Sequence, residues 1–157
     1  MHADRNKAAL PSSSRTQDEI ALIVPTATEL LGLRLRDADE FFTAGVREVQ
    51  EGTEATDDLL TRQGFEKVFH ALLNAYVARV YVCRAYYFYP MSHKALLEGL
   101  RIAGLHREAS LYEEVMEIFH MRVYHQGETD LFELAEQYVT QVGIEIAAAR
   151  DWVAEVS

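Results

Sequence analysis

Apolar residues recur along this chain at helical spacing, and the pattern marks five helices. The first should start at Thr26 or Thr28, just after Pro25, and run to Glu51, with Gly52 as its stop. Leu31, Leu35, Ala38, Phe42, Val46 and Val49 form its apolar stripe, while Arg34, Asp37, Glu40 and Glu48 lie off it. A second helical region opens at Thr56 or Asp57, can bend at Gly64 and ends by Tyr89, because the residue before Pro90 is biased away from helix. Phe65, Phe69, Leu72, Tyr76, Val80, Cys83 and Tyr87 line one face of it; Tyr81, Val82, Tyr86 and Phe88 spread apolar surface round the others. A helix apolar most of the way round is either central to its fold or shared with a partner chain. Ser92 can cap a third helix, HKALLEGLRIAGL, which Gly104 terminates.

The fourth helix, EASLYEEVMEIFHMRVYHQG, spans Glu108 to Gly127. At α-helical spacing Leu111, Val115, Ile118, Arg122 and His125 fall within about 80° of arc, so a guanidinium and an imidazole stand where two more aliphatics belong. An arginine cannot shed its charge, so it is costly to bury unless it is paired or faces a wet cleft. The fifth helix opens on a capping box from Asp130 to Glu133, with Thr129 as a rival cap. Leu131, Leu134, Tyr138, Val142, Ile146, Ala149 and Trp152 supply its core face. Residues 1–17 are polar and Ser-rich and read as a flexible tail, and Gln17 to Val24 can add a short helical turn. Residues 18–157 then make one domain, an all-α five-helix up-and-down bundle with short connections.

Composition narrows the classes. A net charge of −10 argues against broad, non-specific nucleic-acid binding, though a local basic cleft stays open. The single cysteine, Cys83, lies in an apolar run, which leaves no disulfide framework or zinc cluster within one chain. No apolar h-region opens the sequence and no uncharged apolar run approaches the roughly 20 residues of a membrane span, so a cytoplasmic protein without a membrane partner is expected.

Arg122, Tyr124 and His125 at the end of the fourth helix are the first chemical candidates. Histidine can move a proton near neutral pH and arginine can hold a phosphate bidentately, which suits phosphodiester cleavage or nucleotide binding. The competing reading is structural: an arginine paired with a carboxylate, and a histidine near a helix C-terminus. Glu117 and His120 form an E-x-x-H, and Glu66 and His70 an i, i+4 pair. Neither finds a reciprocal ligand pair, so both read as solvated surface, and no metal or cofactor is expected. His93, beside Ser92 at a helix start, is a capping-region residue or a substrate contact. The tyrosines at 76, 81, 86, 87 and 89 make an aromatic stripe that suits a core or a dimer interface better than a base-stacking platform.

From Ala71 to the C-terminus the order of features resembles the HEPN superfamily of small helical domains. They are a Tyr-rich helix (NAYVARVYVCRAYY), then HKALLEGLRIAGL, then MRVYHQGE, then a long last helix. That resemblance implies a homodimer whose cleft acts on RNA as a metal-independent ribonuclease or binds nucleotides, in a toxin–antitoxin or defence setting. It also implies a possible nucleotidyltransferase or antitoxin partner. The family spaces its Arg and His by four to six residues. Arg122 and His125, the expected catalytic pair, have two between them, while Arg101 and His106 have four but fall one helix earlier. Tyr124, His93, Arg101 and His106 are the expected substrate contacts. The alternative function is a non-enzymatic helical partner-binding module on a degenerate HEPN-like scaffold.

Overall fold

The computed structural model describes residues 26–84 and 89–156, and among these the secondary structure is entirely helical. Five α-helices follow in order: α1 (Ala27–Glu54), α2 (Asp58–Cys83), α3 (His93–Ile102), α4 (His106–Val115) and α5 (Phe132–Val156). A π-helical segment, Met116–His125, continues α4, and a 3₁₀ turn, Thr129–Leu131, leads into α5. The tail expected at residues 1–17, the turn at Gln17–Val24, and Tyr86, Tyr87 and Phe88 lie outside the described residues. No helix among the described residues is long and apolar enough to cross a membrane.

Local signals set most of the helix starts. The Thr26 hydroxyl accepts from the Glu29 N–H at 3.2 Å while the Glu29 carboxylate accepts from the Thr26 N–H at 2.9 Å, a complete capping box. Asp57 and Ser92 cap α2 and α3 through the N–H groups of Leu60 and Ala95, both at 3.1 Å. Ahead of α5 the 3₁₀ turn takes the place of the box expected at Asp130. Gly104 and Gly127 do close their helices, with φ of +79° and +68°.

Two glycines have a different role from the one their position suggests. Gly52 does not stop α1, which runs on to Glu54, and Gly64 sits within an unbroken α2. Both are buried where the two helices touch backbone to backbone. A Cβ on Gly64 would lie 2.6 Å from the Val49 nitrogen and 2.8 Å from the Gly45 carbonyl oxygen, and one on Gly52 would lie 2.4 Å from Thr61 Oγ1. Contact with the neighbouring helix, rather than backbone freedom, requires glycine at these positions.

α2 is the central helix and touches every other one. Phe65, Phe69, Leu72 and Tyr76 from α2 are fully buried against Tyr112 of α4 and Phe119 of the π-helical segment. Each such side chain contributes on the order of 1.5–3 kcal/mol through apolar burial. This explains why α2 is apolar on all sides: Tyr76, Val77, Ala78, Val80 and Tyr81 are covered within the chain, so their apolarity carries no argument for a second copy. α2 ends at Cys83, six residues earlier than the bound set by Pro90.

A polar network lies inside this core. Glu145 of α5 is 1% exposed. Its carboxylate accepts from Tyr76 Oη at 2.9 Å, Arg107 Nη1 at 2.8 Å and Gln141 Nε2 at 3.1 Å. Arg107 also reaches Glu108 at 3.0 Å, and Glu108 faces Arg79 at 3.6 Å. Burial, reinforced by the Glu145 carboxylate, pushes the Tyr76 hydroxyl far above its ordinary range, so it stays protonated and donates.

Candidate functional site

The candidate site lies where α2 meets the π-helical segment and α3. Residues five apart in an α-helix stand about 140° apart. The i→i+5 bonding of a π-helix widens each turn and brings them nearly into register. His120 and His125 are such a pair, with Nε2 atoms 3.3 Å apart and ring centroids 4.4 Å apart. The wide register continues through the end of the helix: the Gln126 N–H reaches the Met121 carbonyl, and the Glu128 N–H reaches back to the Arg122 carbonyl, both at 3.0 Å.

Two α2 residues one turn apart hold this segment. Arg62 donates from Nε to the Val123 carbonyl at 3.0 Å and from Nη2 to the Tyr124 carbonyl at 2.5 Å, satisfying acceptors that the helix end leaves free. Glu66 Oε1 lies 2.7 Å from His120 Nδ1 and 3.1 Å from His70 Nε2. Glu66 Oε2 is buried without a hydrogen-bond partner among the described residues. Burial pushes the Glu66 carboxyl up, but the hydrogen bonds and charges of His70 and His120 together outweigh it and hold the group below the ordinary carboxylate range. An ionised carboxylate can only accept, so His120 donates from Nδ1. In the neutral ring its Nε2 then carries a lone pair, and His125 supplies the N–H between them.

His93 closes the group from α3. Its Nδ1 lies 2.5 Å from the Tyr112 hydroxyl, and its ring centroid is 5.6 Å from that of His120. Phe69 stacks on His120 at 5.0 Å and contacts His93 at 5.7 Å, forming the apolar floor. Burial, followed by the charges of His120 and His70, holds the His93 imidazole below its ordinary range, against the opposing charge of Glu66. A depressed pKa means that the folded protein resists a proton the unfolded chain accepts. Stability from this group is therefore full above 6.5, the ordinary value of a free histidine, and is lost as pH falls through the folded value. Urea unfolding of the parent and of His93→Asn should show their stability difference moving against the parent between pH 7 and pH 5. A difference that stays constant over that window would remove the effect.

Of the residues singled out in the sequence, His93 and His125 join this group and Tyr124 touches its edge, while Arg122, Arg101 and His106 lie apart. Arg122 and His125 are not joined. The Arg122 guanidinium forks onto Glu128, Nε to Oε2 at 2.9 Å and Nη2 to Oε1 at 3.1 Å, while His125 turns to His120. The hydrogen bonds it donates to Glu128 push Arg122 above its ordinary range, and the same bonds hold the Glu128 carboxyl down. The expected inner face holds at Val115 and Ile118, which are buried, with Leu111 half-buried, and is corrected at its end: Arg122 is half-buried and His125 exposed, while Tyr112, Phe119 and Val123 are fully buried. Tyr124 offers its carbonyl to Arg62 and its ring to His125 at 5.2 Å. Arg101 pairs with Glu113 at 2.7 Å on the surface, and His106 is exposed at the start of α4.

The sequence reading missed Glu66, His70 and His120 as members of one group. Glu66 is 9% exposed and the His120 side chain 19%, so neither belongs to a solvated surface pair; Glu117 does remain exposed. The available signal was three polar residues, Glu66, His70 and His120, flanking the buried aromatics Phe65, Phe69 and Phe119. Among the described residues no group of three or more His, Cys, Asp or Glu is arranged to hold a metal ion.

A cleft of about 320 Å³ opens beside the group, between α1, α2 and α3, and His93 forms part of its wall. Comparison with protein-family models, with curated proteins and with solved structures finds no match to this chain.

Proposed function

We propose that this chain is a HEPN-like helical domain that cleaves RNA by metal-independent proton transfer, with Glu66, His120 and His125 as its working group. The reading is supported by one observation above all: a buried carboxylate 2.7 Å from His120 Nδ1, and a second imidazole 3.3 Å from His120 Nε2. Glu66 is the positioning residue, fixing the tautomer and orientation of His120. His120 Nε2 takes the proton of a ribose 2′-hydroxyl, whose oxygen bonds to phosphorus. The phosphorus–O5′ bond breaks and His125, entering the step as the imidazolium, gives a proton to that oxygen and is left neutral, with a 2′,3′-cyclic phosphate and a 5′-hydroxyl as products. In the free protein the two rings meet edge to face, and a phosphodiester entering between them replaces that contact.

Arg122 is structural in this account, since its fork is filled by Glu128. Incubation of the parent with short RNAs in EDTA should yield cyclic-phosphate ends. His120→Ala and His125→Ala should each lower the rate about 10²- to 10⁴-fold, with Arg122→Leu within a few-fold of the parent when corrected for the folded fraction. Loss of activity in a fully folded Arg122→Leu would return the reaction to the Arg122–His125 pair. A parent inactive on the whole RNA and nucleotide panel would favour the second reading, a partner-binding module, which the filled Arg122 fork already supports.

A further inference from the structure

The cleft beside the histidine group contains an arginine that the proton-transfer reading does not use. Arg34, on α1, lines one side of the cleft, and Leu73, Val77, Pro90, Met91 and Leu96 form apolar wall. The guanidinium is half-buried and held in place by neutral groups. Nη1 donates to Asn74 Oδ1 at 2.8 Å, Nε donates to the Tyr89 hydroxyl, and the Tyr89 ring lies 5.1 Å from Cζ. Asn74 is itself fixed by donating to the His70 carbonyl at 2.8 Å. Among the described residues no carboxylate pairs with Arg34, although the chain carries 25 acidic residues and the half-buried Arg62 and Arg122 both have acceptors filling their forks.

We infer that this cleft binds a small organic acid, its carboxylate on the remaining N–H groups of Arg34 and its apolar body along Leu73, Val77 and Leu96. Nε and one proton of Nη1 are engaged, which leaves the other Nη1 proton and both Nη2 protons as a fork of the width a carboxylate fills. Among the described residues lining the cleft Arg34 is the only arginine or lysine, and His93, the other ionisable group among them, resists protonation. A single fixed charge matches a monoanion. The aliphatic wall favours a carboxylate with a hydrocarbon body over inorganic phosphate or a nucleotide, whose further charges and polar edges would face side chains that cannot pair with them. This inference is independent of whether the histidine group cleaves RNA.

Calorimetric titration of the full chain with octanoate should show one saturable site. Octan-1-ol, which lacks the charge, and inorganic phosphate, which lacks the tail, should each bind about 10-fold or more weakly. Arg34→Gln should weaken octanoate by about 10- to 100-fold. Arg34 also packs against Tyr89, so a second variant keeps the test sound. Met91 is 83% exposed at the cleft, and Met91→Asp sets a like charge beside the ligand without disturbing the core; it too should weaken octanoate. The inference is overturned by a parent that binds no octanoate, by folded variants that bind it as the parent does, or by phosphate or octanol binding as tightly as octanoate.

Discussion

Alanine at position 64 should destabilise the fold by about 3 kcal/mol, at the upper end of overpacking costs, because the added methyl meets backbone. The sign is the informative part. Glycine to alanine inside a helix ordinarily stabilises by roughly 0.5–1 kcal/mol. At Gly64 the new Cβ would sit 2.6 Å from the Val49 nitrogen and 2.8 Å from the Gly45 carbonyl oxygen, so α1 and α2 must move apart along their contact. Gly32 provides the control within the same hairpin: it is exposed on α1, and a Cβ there meets nothing within 4 Å. Gly32→Ala should raise the urea midpoint and Gly64→Ala should lower it sharply. Equal effects at the two positions would mean that the helices are not in backbone contact.

Glu145→Ala should cost about 3 kcal/mol through a different mechanism. It leaves the Tyr76 hydroxyl buried without its acceptor, takes one carboxylate from Arg107, and opens a cavity in α5. Tyr76→Phe should cost less, about 1–2 kcal/mol, because Arg107 and Gln141 still donate to Glu145 Oε1 while Oε2 loses the Tyr76 hydroxyl. Combining Tyr76→Phe with Glu145→Leu should recover much of the loss, as apolar replacement of a buried polar pair often does. Chemical denaturation of the single and double variants checks this. A double variant no more stable than Glu145→Ala would show that the network itself, rather than an unmet partner, supplies the stability.

How far the sequence could be read depended on the range of the physics involved. Thr26, Asp57 and Ser92 cap helices through the backbone three residues away, and Gly104 and Gly127 close them through their own φ, so short windows suffice. Gly52 and Gly64 misled because their reason lies on another helix. Arg122 and His125 seemed to share an inward face only while α periodicity was assumed; the π register begins at Met116 and turns them apart. Glu66 and His70 looked like a surface pair because the third member, His120, lies 54 residues from Glu66. Arg34 fell off the apolar stripe of α1, and nothing near it in sequence marks its place in a cleft formed by α2 and α3.

The π-helical segment has a consequence for how this chain tolerates changes of length. An over-wide turn holds one residue more than an α-turn covering the same rise. Losing a single residue between His120 and His125 would make them an i, i+4 pair, which an ordinary α-helix also places on one face. The imidazole pair is thus compatible with two chain lengths. Along α2, by contrast, a one-residue deletion between Arg62 and Glu66 would rotate one of the two grips by about 100° away from the segment they hold. Single-residue deletions that preserve the imidazole pair should therefore fall in Met121–Tyr124 and spare Arg62–Glu66.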